Sequence, residues 1–171
     1  MTKVFWSFLF AVVLWGCLKS DNPGQQQCDY TDSQTIAPDS QVQKVKAYLD
    51  SNNITAEKHP SGFYYTINSQ GNGGTVVNLC SIIIARYKAK FTNGAVFDST
   101  AANSTVNFAL GRVIVGWQKA IPLVKGGSEL TLYIPPSLAY GPIDVTDNMG
   151  NVIIPGNSIL IFDIEVLDIS G

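Results

Sequence analysis

The sequence predicts an α+β fold, a curled antiparallel β-sheet wrapped around one short α-helix, with an amphipathic helix ahead of it. Three observations carry this reading. Apolar and polar residues alternate in early and late runs, at 63–68, 82–91, 129–134 and 160–166. Between them only Trp117 to Val124 has helical spacing. Ahead of the first run, Val42, Val45, Tyr48 and Leu49 recur three and four residues apart. Strands, one short helix and more strands bury their apolar faces best as a sheet packed on that helix.

The chain begins with "MTKVFWSFLFAVVLWGCLKS". Lys3 supplies a positive start, and Val4 to Trp15 is apolar but too short to span a bilayer, as in a secretion signal. The ending Leu14-Trp15-Gly16-Cys17 resembles a bacterial lipobox, which implies cleavage after residue 16 and acylation of Cys17. A lipid there anchors a protein without a spanning helix. Residues 17–36, with "SDNPGQQQ", read as the lipidated cysteine and a flexible tether. The expected location is a bacterial membrane, the outer one, on its periplasmic or surface face.

Residues 37–60 form a helical segment. Pro38 opens it and Asn52-Asn53 closes it, which gives a helix of about three turns. Residues 61–171 are the folded domain. In "SIIIARYKAKF", Ile83, Ala85, Tyr87, Ala89 and Phe91 share one strand face and Arg86, Lys88 and Lys90 the other. Asn93-Gly94 marks a hairpin. Leu130, Leu132 and Ile134 alternate in the next strand, and Leu160, Phe162, Ile164 and Val166 in the last. The helical stretch "GWQKAIPLVKGG" closes at Gly126-Gly127. Pro122 is expected in its first turns, where a missing N–H costs least.

Charge and composition exclude several functions. With 11 basic and 13 acidic residues, scattered, the chain offers no footprint for nucleic acid. The single histidine, His59, precedes a proline, so a Ser-His-Asp or Cys-His system has little support. Neither a phosphate-cradling loop nor a metal-ligand cluster is present in the sequence. An enzyme built from these residues works without nucleophile, metal or cofactor. With Cys17 lipidated, Cys28 and Cys80 remain as an even pair. In an exported protein they form either a disulfide, worth about 4 kcal/mol for a loop of roughly 50 residues, or two free thiols. Pro135 and Pro136 end the strand at Ile134, and Tyr140 follows between Ala139 and Gly141. Its phenol is either a plug for a strand end or a donor aimed at a ligand.

Several separated blocks now carry a resemblance: "YKAKFTNGAVFDST", "VNFALGRVIVGW", "IPLVKGGSELTLYIPPSLAYG" and "VIIPGNSILIFDIEVLDI". In this order they resemble the FKBP-type peptidyl-prolyl isomerases, the macrolide-binding immunophilins, over about Ser61 to Ile169. The resemblance implies rotation about X-Pro bonds with no covalent intermediate. It implies proline-containing unfolded or extended polypeptides as partners, macrolide immunosuppressants as ligands, and no cofactor. Matched by position, Tyr87, Phe97, Asp98, Trp117 and Tyr140 are the catalytic candidates. Trp117 is the floor under the proline ring, Phe97 a wall, Asp98 the carboxylate at the pocket edge and Tyr140 the hydroxyl donor. Val106, Val113, Ile114, Ile154 and Phe162 are the substrate-binding candidates, Ile114 through its backbone N–H.

Departures from the family pattern raise further expectations. Val106 stands where relatives often carry an aromatic wall, which predicts a thinner pocket side. Gly156 replaces the second residue of the common "IPP" step, which predicts a looser corner. The long loop from Pro142 to Val152 borders the pocket and bears on substrate choice. A rival reading is a low-turnover chaperone on the same fold. A monomer is the simpler expectation, because the single N-terminal helix is short.

Overall fold

A computed structural model describes residues 28–171 of the 171-residue chain. The signal segment 1–16, Cys17 and the start of the tether lie outside the described residues. Nine strands occur among the described residues, numbered in chain order. β1 is Glu57–Lys58, β2 Tyr64–Ser69, β3 Ile82–Phe91, β4 Val96–Ser99 and β5 Val106–Ala109; β6 is Ser128–Ile134, β7 Val145–Thr146, β8 Val152–Ile154 and β9 Leu160–Ser170. Two α-helices, α1 (Asp39–Ser51) and α2 (Val115–Ala120), join them.

Seven strands make one antiparallel sheet in the order β1-β2-β6-β9-β3-β4, with β5 added beside β3. The long pair of β3 and β9 runs from Ile82 opposite Ser170 to Phe91 opposite Leu160, with a bulge between Ile84 and Ala85. The alternation in sequence sets the faces. Ile83, Ala85 and Ala89 of β3, Leu130, Leu132 and Ile134 of β6, and Leu160, Phe162, Ile164 and Val166 of β9 are all buried. Each large side chain hidden this way stabilises the fold by about 1.5–3 kcal/mol.

Alternation also buries residues on the opposite face. Tyr64 stands across from Tyr133, and Tyr133 across from Ile161, and all three are buried. Helix α1 accounts for this: its Val42, Val45 and Leu49 are buried, and its Tyr48 ring lies 6.3 Å from that of Tyr133. The helix is part of the core.

Pro122 departs from expectation. Helix α2 ends at Ala120, and Pro122 sits in a separate 3₁₀ turn, Ile121–Leu123, near whose start its missing N–H leaves no bond unmade. The segment counted with the tether also begins under constraint. Cys28 is disulfide-bonded to Cys80 across 52 positions of sequence, and the Tyr30 ring lies directly on Gly111. No helix among the described residues is long and apolar enough to cross a membrane.

Candidate active site

A cavity of about 360 Å³ opens where the inner faces of β3, β4, β5 and β9 meet α2. Trp117 is its floor. The indole, 4% exposed, is held by three rings set edge-on: Tyr87 at 5.6 Å, Phe108 at 5.7 Å and Phe162 at 5.5 Å between centroids. Phe97 completes the wall, 6.2 Å from Phe162 and 4.7 Å from Phe91. Edge-to-face contacts of this kind add about 0.5–1.5 kcal/mol each beyond burial and keep the rings from collapsing into the space between them. The indole Nε1 is buried without a hydrogen-bond partner among the described residues.

Polar groups sit at the rim. The Tyr87 hydroxyl donates to Asp98 Oδ2 at 2.5 Å, which ties β3 to β4 at the cavity mouth. Burial, and after it the bond to Asp98, push the Tyr87 phenol far above the ordinary tyrosine range. Tyr140 is 47% exposed, and burial followed by the charge of Asp98 raises its pKa too. Both phenols therefore keep their protons at neutral pH. The Ile114 N–H, just ahead of α2, has no acceptor among the described residues. The segment before it is braced from below: Gln118 Nε2 donates to Val113 O at 2.7 Å, and the Gly111 N–H to Leu79 O at 2.7 Å.

Tyr140 is presented by a turn that the two prolines start. The N–H groups of Ala139 and Gly141 both donate to Pro136 O at 2.9 Å. Gly141 takes φ +79, a conformation that a side chain disfavours. The phenol lies at the cavity rim and is open to solvent.

Nine of the ten candidate residues come together in this wall: Tyr87, Phe97, Asp98, Val106, Val113, Ile114, Trp117, Tyr140 and Phe162. Ile154 does not. It lies in β8 opposite Val145 and is buried in the core, while its neighbour Ile153 takes the exposed face. Two lining residues, Phe108 and Arg112, were not singled out by sequence. Phe108 lies two residues after Val106 on β5, hence on the same face, and so restores the aromatic wall that Val106 was expected to thin. Its signal was the alternation in "VNFA". Arg112 is exposed and has no ion pair among the described residues.

Gly156 also corrects an expectation. A Cβ there would stand 2.1 Å from Pro142 O, so the corner is tight. The Gly156 N–H donates to Asp144 Oδ1 at 2.7 Å and the Asn157 N–H to Gly141 O at 2.9 Å. The loop from Pro142 to Val152 is itself ordered by β7 and β8. His59 lies outside the cavity wall; it stacks on Phe63 at 4.4 Å, and its Nδ1 accepts the Ser61 N–H. Among the described residues no three His, Cys, Asp or Glu gather as a metal site.

Comparisons with known proteins agree with this geometry. The family model for FKBP-type peptidyl-prolyl cis-trans isomerases matches residues 74–167. An FKBP-type peptidyl-prolyl cis-trans isomerase FkpA of Buchnera aphidicola (subsp. Schizaphis graminum) is 39% identical over 115 residues, 67% of this chain and 43% of that protein. A probable FkpA of Neisseria meningitidis serogroup B is 32% identical over 150 residues, 86% of this chain and 53% of that protein. The crystal structure of FkpA from Escherichia coli superposes with a TM-score of 0.64 at 29% identity, covering 77% of this chain and 60% of that one. The chain thus spans about half the length of the curated relatives it matches.

Proposed function

The chain belongs to the FKBP-type peptidyl-prolyl cis-trans isomerase family, and on that premise we propose that it catalyses rotation about X-Pro bonds at the cavity between Trp117 and Tyr140. The observation that carries this reading is the convergence of nine position-matched residues on one open aromatic cavity.

The chemistry follows from the amide. Resonance holds the X-Pro bond planar behind a barrier of about 18–20 kcal/mol. Twisting the bond removes that resonance and most of the amide dipole. A dry aromatic pocket disfavours the planar, dipolar ground state relative to water, which leaves the twisted state better matched to its surroundings. The proline ring rests on Trp117 between Phe97, Phe108 and Phe162. The Tyr140 hydroxyl and the Ile114 N–H hold carbonyl oxygens, one on each side of the ring. Asp98, engaged by Tyr87, keeps a negative charge near the rotating carbonyl. No bond to the protein forms and no proton leaves it.

The substrates in this reading are unfolded or extended proline-containing polypeptides, with macrolides as competing ligands. The biological setting is export. Residues 1–16 act as a lipoprotein signal, Cys17 carries the lipid, residues 17–36 link it to the helical segment 37–60, and the isomerase unit of 61–171 faces the periplasm or the cell surface as a monomer. A Cys17→Ser variant is expected in the soluble envelope fraction instead of the membrane, without lipid mass on its N-terminus.

A second reading, holding of unfolded chains with little turnover, is favoured by the exposed apolar side chains of Ile143, Met149, Val152 and Ile153, close together in sequence. Refolding of a proline-limited test protein separates the two. Catalytic amounts of the chain should accelerate the slow phase, and Phe97→Ala and Trp117→Ala should abolish the acceleration. A well-folded wild type that binds unfolded chains but leaves the slow phase unchanged supports the holding reading and defeats the first.

A further inference from the structure

Helix α1 touches the turn that precedes Tyr140 through the side chain of Gln41. The 3₁₀ turn Pro136–Leu138 starts the loop that ends in Tyr140. The first N–H groups of such a turn have no partner inside it. Pro136 has no N–H, so Ser137 carries the first unmatched donor. Gln41 Oε1 accepts that N–H at 3.0 Å, across 96 positions of sequence. The Ser137 hydroxyl is buried and has no partner among the described residues, so the bond to Gln41 is the hydrogen bond that holds this residue in place.

The other end of the contact lies on a helix packed into the core. Gln41 is half-buried, and its neighbours Val42 and Val45 are buried against the sheet. Tyr140, by contrast, is 47% exposed, and its phenol projects from the turn with no hydrogen-bond partner among the described residues. A side chain held only through its backbone inherits every error of the turn beneath it, and catalytic donors lose much of their effect when displaced by about 1 Å.

We propose that Gln41 is a positioning residue for the isomerase site. It is an acceptor on the N-terminal helix that fixes the Ser137 turn and through it aims the Tyr140 hydroxyl. The proposal rests on the isomerase reading and adds that the helical segment 37–60 is part of the catalytic apparatus. A helix that served only to cover the sheet would need Val42, Val45, Tyr48 and Leu49, and would be indifferent to an acceptor at position 41.

The test compares Gln41→Leu, Gln41→Glu, Tyr140→Phe and the Gln41→Leu/Tyr140→Phe double variant in the full chain, using isomerisation of a proline tetrapeptide. Gln41→Leu should lose about three- to tenfold in kcat/KM, the scale of one hydrogen bond. Gln41→Glu, which keeps an acceptor, should recover most of it. In the Tyr140→Phe background Gln41→Leu should cost little more, because the group it aims is gone. Wild-type kcat/KM in Gln41→Leu, or a full independent loss on top of Tyr140→Phe, overturns the proposal. Amide exchange at Ser137 and the ring resonances of Tyr140 and Trp117 supply a second readout. The Gln41→Leu variant should expose the Ser137 amide and shift the Tyr140 ring while leaving Trp117 unchanged; shifts throughout the domain, or none at Tyr140, also overturn it. An inactive wild type would defeat the isomerase reading alone, since the resonances still report whether Gln41 aims Tyr140.

Discussion

Tyr87 on β3 and Asp98 on β4 are joined at the mouth of the cavity by a 2.5 Å hydrogen bond from phenol to carboxylate. The bond engages that carboxylate oxygen, and with it the Tyr87 ring stands edge-on to Trp117. One contact thus links a ring of the floor to the polar rim.

The alkaline limb of the pH profile follows from it. Tyr87 and Tyr140 both have raised pKa values, so neither phenol titrates where a free tyrosine does, at about pH 10. Activity should stay level to about pH 10 in rapid peptide assays. Stability has the opposite exposure. Below the unfolded pKa the two phenols favour the fold in full; above about pH 10 the unfolded chain loses its protons first, and stability falls as pH rises. Urea midpoints at pH 8, 9.5 and 10.5 check this, and a midpoint that rises with pH contradicts it.

Phe108 should matter more than Val106. Removing its ring opens the wall beside Trp117, so Phe108→Ala is expected to lower kcat/KM about tenfold and cost about 2–3 kcal/mol of stability. Val106→Phe should stay within about threefold of wild type, because an aromatic wall already stands on that strand face. Peptide kinetics and denaturation of the two variants decide the ranking.

At Gly156 there is no room for a methyl group. A Cβ would meet a backbone carbonyl at 2.1 Å, and backbone yields less readily than a side-chain tip. Gly156→Ala should lose about 1–3 kcal/mol and also impair catalysis, since Asn157 is bonded to Gly141 next to Tyr140. Full activity with unchanged Tm would show that the corner gives way freely.

The disulfide should contribute about 2–4 kcal/mol, the range for a closed loop of 52 residues. Its loss reaches the site as well. Cys80 lies between Leu79 and Ser81, whose carbonyl oxygens accept the N–H groups of Gly111 and Leu110. A Cys28→Ser/Cys80→Ser protein should melt earlier and show a higher KM at a temperature where it is still folded.

Arg112, without an ion pair among the described residues, places a positive charge on the rim. Peptides with Glu beside the X-Pro bond should be preferred over those with Lys by about two- to tenfold at low salt, and Arg112→Glu should reverse the order. Added salt should weaken both effects, as screening requires. A preference that ignores both the substitution and salt would exclude Arg112 as a selector.

Local pattern alone determined much of this protein. Alternation in 82–91, 129–134 and 160–166 assigned strands and their buried faces, because a side chain on a pleated strand has only two directions to point. Helical spacing at Val42, Val45 and Leu49 marked the face that α1 buries. The matched blocks named nine of the eleven residues that line the cavity. Tertiary structure decided what depends on partners far along the chain. Phe108 joined the wall because β5 pairs with β3. Ile154 left it because β7 and β8 turned its side chain into the core. Gly156 proved tight because Pro142 folds back onto it, Cys28 found Cys80, and Gln41 found Ser137. Periodicity reports which way a residue faces on its own element, whereas register, loop packing and hydrogen bonds between elements are set by the three-dimensional fit of the whole chain.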